Sequence, residues 1–217
     1  MNDLIEPEIF PEKIKAFFTT KRSHEVIYNT FNRPLYRPIQ KHTSRVIILN
    51  GMQREIADGV ITDKKGVMIG IETADCVPVL LCDPALPVIG AVHAGWRGTA
   101  EGIIRNAIRK MKEVFLSEPS RILMAIGPSI GPCCYEVDEP VYRAISYQTG
   151  SHYTARGNKY YIDLPTENIK QALLEGLREE NIWASKECTR CEHERFYSYR
   201  FHGKSAGRQG GFILIEI

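Results

Sequence analysis

The stretch AVHAGWRGTA, Ala91 to Ala100, passes from an apolar run to a helical period across two glycines. On its amino side PVIGAVHAG, from Pro87, reads as a strand that ends at His93. On its carboxyl side Ala100–Leu116 carries Ile104, Ala107, Ile108, Met111 and Phe115 at three- and four-residue spacing, the stripe of a helix lying on a sheet. A strand handed over to a helix through Gly95 and Gly98 predicts a mixed α/β chain, with the helix starting at about Thr99. Such a turn gathers free backbone N–H groups and the positive end of the helix dipole, which suits an anion. Arg97 inside it can add a bidentate phosphate contact. The same residues also serve a plain turn, with Trp96 packed and Arg97 solvated, and spacing does not separate the two readings.

Outward from that junction the strand-like runs are RVIILN from Arg45, GVMIGIET from Gly66, VPVLLCD from Val77, RILMAIGPS from Arg121, YYIDL from Tyr160 and GGFILIEI from Gly210. A second helix is expected over Pro165–Glu179, with Ile169, Ala172, Leu173 and Leu177 as its apolar stripe and Pro165 in the first turn. A third starts after Asp138 as N-cap and runs through Val141 and Ile145. With 217 residues, no internal repeat and no low-complexity linker, the pattern predicts one domain over 1–217. The expected fold is mixed α/β (α+β), a layered sheet sandwich flanked by helices.

Composition narrows the function. With 43% apolar and 25% charged residues the chain is a globular protein able to bury a sizeable core. A net charge of +2, spread without a basic stripe, argues against nucleic-acid binding, although YRFHGK near the end is locally basic. The amino end, MNDLIEPEIFPEK, is acidic and lacks an apolar h-region, and no run of eighteen uncharged apolar residues follows. The expectation is a cytoplasmic protein without membrane contact. Six cysteines in such a chain read as reduced thiols or ligands rather than a disulfide framework.

Among those cysteines, Cys76 in ETADCVPVLL opens an apolar run. It reads as a packed thiol, a nucleophile or a metal ligand. His93 follows it by one strand-turn-strand unit, and His42, in IQKHTSRVI, precedes another strand. Together they form a Cys-His-His set of the type that leaves zinc an open fourth position. Long spacings carry no local signature, and on spacing alone a satisfied core histidine or a buried thiol is the commoner outcome.

TADCVPVLL, AVHAGWRGTA, IGPSIGPCCYEV and FYSYR followed by AGR, in this order between about Gln40 and Arg208, resemble the YfiH/YlmD family. That family is also called the laccase-domain or multicopper polyphenol oxidase family, and its members are regarded as purine nucleoside phosphorylases. The resemblance implies that His42, Cys76 and His93 bind a zinc ion and form the catalytic centre. It implies phosphorolysis of adenosine, inosine, guanosine and methylthioadenosine, with purine nucleoside and phosphate as partners, and hydrolytic deamination of adenosine. Arg97 and Arg200 are then candidate substrate contacts, with Arg208 a weaker one. The chain departs from the family at its amino end. FFTTKRSHEVIYNTF leads almost directly to RPLYRPIQKH, without the family's glycine-rich segment, so 1–39 is a shortened amino-terminal segment; if it lines the pocket, the resemblance implies an altered nucleoside or phosphate subsite.

Two other chemistries fit the same residues. Two histidines and a cysteine also suit Cu2+, as in a blue-copper site, and the family's older name implies polyphenol oxidation. The six histidines, 24, 42, 93, 152, 193 and 202, include no His-x-His pair, so a four-copper laccase is excluded. A cysteine hydrolase with Cys76 as nucleophile and His93 as base is the remaining alternative. Elsewhere Cys188, Cys191 and His193 in CTRCEHE look like half of a zinc knuckle, read here as surface or core thiols. Of Cys133 and Cys134, one is expected to face the pocket and the other to pack. Cys82 reads as a core thiol.

Overall fold

The computed structural model describes residues 3–24, 27, 32–149, 153–156 and 159–217. Residues 25–26 and 28–31 of the shortened amino-terminal segment, and His152, lie outside them. In chain order the elements are β1 (Ile14–Phe18), β2 (Leu35–Tyr36), β3 (Val46–Ile48), β4 (Gly59–Thr62), β5 (Met68–Thr73), β6 (Val77–Asp83) and β7 (Val88–Ala94). Then come α1 (Trp96–Ala100), α2 (Ile103–Phe115), β8 (Leu123–Ile126), β9 (Glu136–Val137), α3 (Glu139–Thr149), β10 (Tyr153–Arg156) and β11 (Lys159–Ile162). α4 (Leu164–Leu174), β12 (Ile182–Ala184), α5 (Tyr199–His202) and β13 (Gln209–Ile215) complete the chain.

A six-stranded sheet runs β12-β8-β6-β7-β4-β3, and a four-stranded sheet runs β1-β13-β5-β2. A small sheet, β10-β11-β9, stands apart from both. The period-2 alternation of strands explains how β6 and β7 can be apolar throughout. Val77, Val79 and Leu81 of β6, with Val88, Val92 and Ala94 of β7, share one core with Ile103, Ile104, Ala107, Ile108 and Met111 of α2. The intervening Leu80, Cys82, Ile89 and Ala91 share the other core with Ile69 and Ile71 of β5 and Ile213 and Ile215 of β13. Each fully buried aliphatic side chain contributes about 1.5–3 kcal/mol to this three-layer stack. The layered α+β sandwich is therefore as expected.

The helices differ in detail. The single helix predicted from about Thr99 is two. α1 begins at Trp96, and Gly102, at φ 77°, breaks the chain before α2. A left-handed residue cannot continue a right-handed helix, and glycine adopts it without steric cost. α4 is shorter than Pro165–Glu179; Ala172, and Leu177 beyond its end, are buried and Ile169 packs on the core as expected, but amides share the inward face. Asp163 caps it by accepting from Thr166 N at 3.0 Å, while Leu173 is exposed and Asn168 and Gln171 are buried. Those two amides point at α1: Asn168 Nδ2 donates to Thr99 Oγ1 at 3.1 Å and Gln171 Nε2 to Thr99 O at 2.6 Å. The helix after Asp138 is as expected, with Val141 N donating to Asp138 Oδ1 at 3.3 Å.

Candidate metal centre and cleft

β6 and β7 pair antiparallel, with Val77 opposite Ala94 and Pro78 opposite His93. Cys76, one residue before β6, therefore lies beside His93 and the Gly95 turn. His42 comes from the loop ahead of β3. The donor atoms of His42, Cys76 and His93 all lie within 4.8 Å of one another, and the two imidazoles meet edge to face with centroids 4.9 Å apart. The three residues singled out in the sequence thus converge on one point.

A fourth residue organises them. Asp58, fully buried just before β4, accepts from His93 Nδ1 at 2.7 Å. It also accepts from the backbone N–H groups of Lys41 at 3.1 Å, His42 at 3.0 Å and Thr43 at 2.7 Å, and from Thr43 Oγ1 at 2.8 Å. One carboxylate therefore ties the His42 loop to β7. It also offsets the cost, about 1–2 kcal/mol, of holding His42 at φ 59°. The ordinary role of a carboxylate behind a metal-bound histidine is to fix the ring and leave the other nitrogen free to ligate. Nothing in the local sequence around Asp58 marked it, because its partners are 15–35 residues away.

Electrostatics follow from these contacts. Burial works to raise the Cys76 thiol, but the charge of His93 and hydrogen bonds from His42 and His93 outweigh it and bring it down to about 6. Burial works to lower His93, and the Cys76 charge and the Asp58 hydrogen bond outweigh it, raising it to about 9. Burial also opposes ionisation of Asp58, yet hydrogen bonds from His93 and Thr43 hold its carboxyl well below the usual range. A thiolate, two imidazoles and a second-layer carboxylate make a borderline-soft donor set that fits a zinc ion. Cys82, by contrast, is buried and pushed up to about 12 by burial and then by the Asp83 charge, a core thiol as expected.

Gly95 and Gly98 do not serve the turn through unusual backbone angles, since Gly95 has φ −73° and ψ 170°. Their reason is space. A Cβ on Gly95 would stand 3.1 Å from His42 Cδ2 and 3.2 Å from Cys76 Sγ, and one on Gly98 would stand 2.9 Å from Thr43 O.

The three donors lie at the floor of an open cleft of about 880 Å3. Arg97 and Arg200 both line it. Arg97 lies over the Trp96 ring at 4.3 Å, and Arg200 over the Tyr135 ring at 5.1 Å. Neither forms an ion pair among the described residues, whereas Lys159, on the same wall, pairs with Glu136 at 3.0 Å. Thr73 Oγ1, buried in the cleft wall, has no hydrogen-bond partner among the described residues. Asp75, at φ 86°, accepts from Thr189 Oγ1 at 2.6 Å and from Arg200 N at 2.7 Å. It joins the metal loop to the segment that carries Arg200. Cys133 and Cys134 do not reach the cleft: both turn away to meet Cys188 and Cys191.

Fold and site together define a layered α+β protein of three sheets with a three-donor, metal-competent centre beneath an open, arginine-bearing cleft. The family described as multi-copper polyphenol oxidoreductase laccase matches residues 19–216. This chain belongs to that laccase-domain family. It is 42% identical over 181 residues to a purine nucleoside phosphorylase of Clostridium acetobutylicum, covering 80% of this chain and 75% of that one. It is 32% identical over 193 residues to adenosine deaminase RL5 of an unknown prokaryotic organism, covering 80% and 72%. The crystal structure of YlmD from Geobacillus stearothermophilus superposes with a TM-score of 0.92 at 26% identity, covering 100% of this chain and 97% of that one.

Proposed function

We propose that this chain is a zinc-dependent purine nucleoside phosphorylase that also deaminates adenosine, acting in the cytoplasm. The observation that carries the reading is the convergence of His42, Cys76 and His93, backed by Asp58, under a cleft lined by four arginines, Arg54, Arg97, Arg200 and Arg208, none of them ion-paired among the described residues. The relatives' names supply the substrate class. A zinc ion held by the three donors supplies Lewis acidity and a water activated near neutral pH.

The chain's own residues account for the rest. Asp58 holds the proton on His93 Nδ1, so that the other ring nitrogen faces the donors. Tyr199, exposed in the cleft wall, offers an aromatic face to a purine, while guanidinium groups cover one face each of Trp96 and Tyr135. Arg97, stacked on Trp96, and Arg200 are placed to hold phosphate for attack at ribose C1′. In phosphorolysis a phosphate oxygen bonds to C1′ as the C1′–N9 bond breaks. In deamination water adds at C6 and ammonia leaves. Adenosine, inosine, guanosine and methylthioadenosine all present the same glycosidic bond.

Copper chemistry is less well supported. A blue-copper site needs a weak axial ligand, and among the described residues no methionine lines the cleft. The one lining amide, Gln40, commits both ends to the Glu72 backbone at 2.7 and 2.8 Å.

Chromatography of products decides the matter. Adenosine with phosphate should give adenine and ribose 1-phosphate, and adenosine alone should give inosine. His42→Ala should suppress both together with bound metal. A zinc-loaded protein that turns over no purine nucleoside sinks the proposal, and phenol oxidation with added copper would put the oxidase in its place. Cys76-dependent hydrolysis that survives chelation would point instead to the cysteine hydrolase.

A further inference from the structure

Four of the six cysteines gather at a second point, away from the cleft. The Sγ atoms of Cys133, Cys134, Cys188 and Cys191 all lie within 4.8 Å of one another. Cys191 Sγ is 3.6 Å from Cys133 Sγ and 3.4 Å from Cys134 Sγ. Tetrahedral zinc with Zn–S bonds of about 2.3 Å requires sulfurs roughly 3.8 Å apart. A hydrophobic role would bury these side chains, yet Cys133 and Cys191 are exposed. The thiols are held together by the backbone instead.

The two pairs arrive on separate turns. Gly131 O accepts from Cys134 N at 3.0 Å and Tyr135 N at 2.9 Å, closing the turn that presents the adjacent cysteines. Cys188 O accepts from Glu192 N at 2.9 Å, closing the turn of the C-x-x-C. The turns are joined by Thr189 N to Ser129 O at 3.0 Å and by Gly131 N to Cys188 Sγ at 3.2 Å. The N–H groups of Arg190 and Cys191 also reach Cys188 Sγ, and Arg190 Nη1 lies 3.6 Å from Cys134 Sγ. N–H donors and a guanidinium around sulfur neutralise the excess negative charge of a tetrathiolate, as second-layer groups do at closed metal sites.

We propose that Cys133, Cys134, Cys188 and Cys191 form a structural zinc site of the four-cysteine type, separate from the His42–Cys76–His93 centre. No position is left open for substrate, so its work is mechanical. Tyr135 follows Cys134 directly, and the segment after Cys191 carries Arg200, whose guanidinium lies over the Tyr135 ring at 5.1 Å. The site pins together the two loops that form this cleft wall. Thr189, inside the C-x-x-C, reaches back to Asp75 beside Cys76. The inference does not rest on the reaction proposed above.

Metal analysis with thiol chemistry tests it. In a His42→Ala/Cys76→Ala background, protein from zinc-replete cells should retain about one equivalent of zinc. Adding Cys191→Ser or Cys133→Ser, both at exposed positions, should remove it. Should those variants misfold, the unmutated chain still answers. Stepwise titration with a mercurial reagent should release two zinc ions, one with a single thiol, Cys76, and one over four further thiols, and cobalt replacement should give the intense thiolate-to-metal absorption of a tetrathiolate. A double variant that holds no zinc, or holds it undiminished after Cys191→Ser, overturns the site. So do Cys133–Cys134 or Cys188–Cys191 disulfides found by mass spectrometry of rapidly alkylated, unreduced protein.

Discussion

His93 and Asp58 are bonded twice: His93 N donates to Asp58 O at 2.7 Å, and His93 Nδ1 donates to Asp58 Oδ1 at 2.7 Å. The pair fixes both where the imidazole sits and which nitrogen it offers. Asp58→Asn keeps the volume but turns an amide donor toward groups that are themselves donors. Metal affinity should fall about 10–100-fold, with stability lower by about 1–3 kcal/mol for each donor left unpaired. Zinc titration against a competing chelator and thermal melting measure the two effects. Unchanged affinity would show that His93 needs no such support.

Acid should expose the same carboxylate. Asp58 is held below the usual range, so its contribution is complete above the unfolded value of about 3.9 and is lost as pH falls toward the folded value. In chelator-treated protein, the melting-temperature gap between the parent and Asp58→Asn should be steady from about pH 5.5 down to about 4.5. It should narrow below about pH 4. A gap that stays constant to pH 3 contradicts this.

Gly95→Ala should damage the centre more than the fold. The new methyl would stand 3.1 Å from His42 Cδ2 and 3.2 Å from Cys76 Sγ. Overpacking of this size costs about 1–3 kcal/mol, and the mobile partners here are the two ligands rather than core residues. The expected result is a folded protein with weakened zinc binding. Parent-like zinc affinity would mean that the ligands have room the structure does not show.

Arg97→Ala should separate the two reactions. Losing a charge-assisted phosphate contact costs about 1.5–3 kcal/mol, so phosphorolysis at limiting phosphate should slow roughly 10- to 150-fold. Adenosine deamination, which uses no phosphate, should change little. Parallel kinetics on the two reactions check this, and equal losses in both would make Arg97 a positioning residue for the nucleoside.

What the sequence makes legible follows from locality. VPVLLCD and PVIGAVHAG are apolar on both faces because β6 and β7 are covered by α2 on one side and β5 and β13 on the other, and so they read as strands at sight. α4 misleads because its buried face carries Asn168 and Gln171, amides that donate to Thr99, about 70 residues earlier. Motif resemblance brought His42, Cys76 and His93 together, but Asp58 has no motif, being chosen by contacts across two loops. The cysteine cluster escapes for the same reason: Cys133 and Cys191 are separated by 58 positions and meet only through folding.

Strand β13 lies between β1 and β5, paired to Phe18 through Gly211 on one side and to Thr73 through Gln209 on the other. While the chain is still being made, the first strand of this sheet must wait for residues nearly two hundred positions later. The ribosome therefore releases β5, the strand that leads into Cys76, before the neighbour that completes it exists. Non-local closure of this kind slows folding, and until residue 215 clears the exit tunnel two sheet edges stand open to other chains. A cell making this protein in quantity should meet its nascent form as a client of its chaperones.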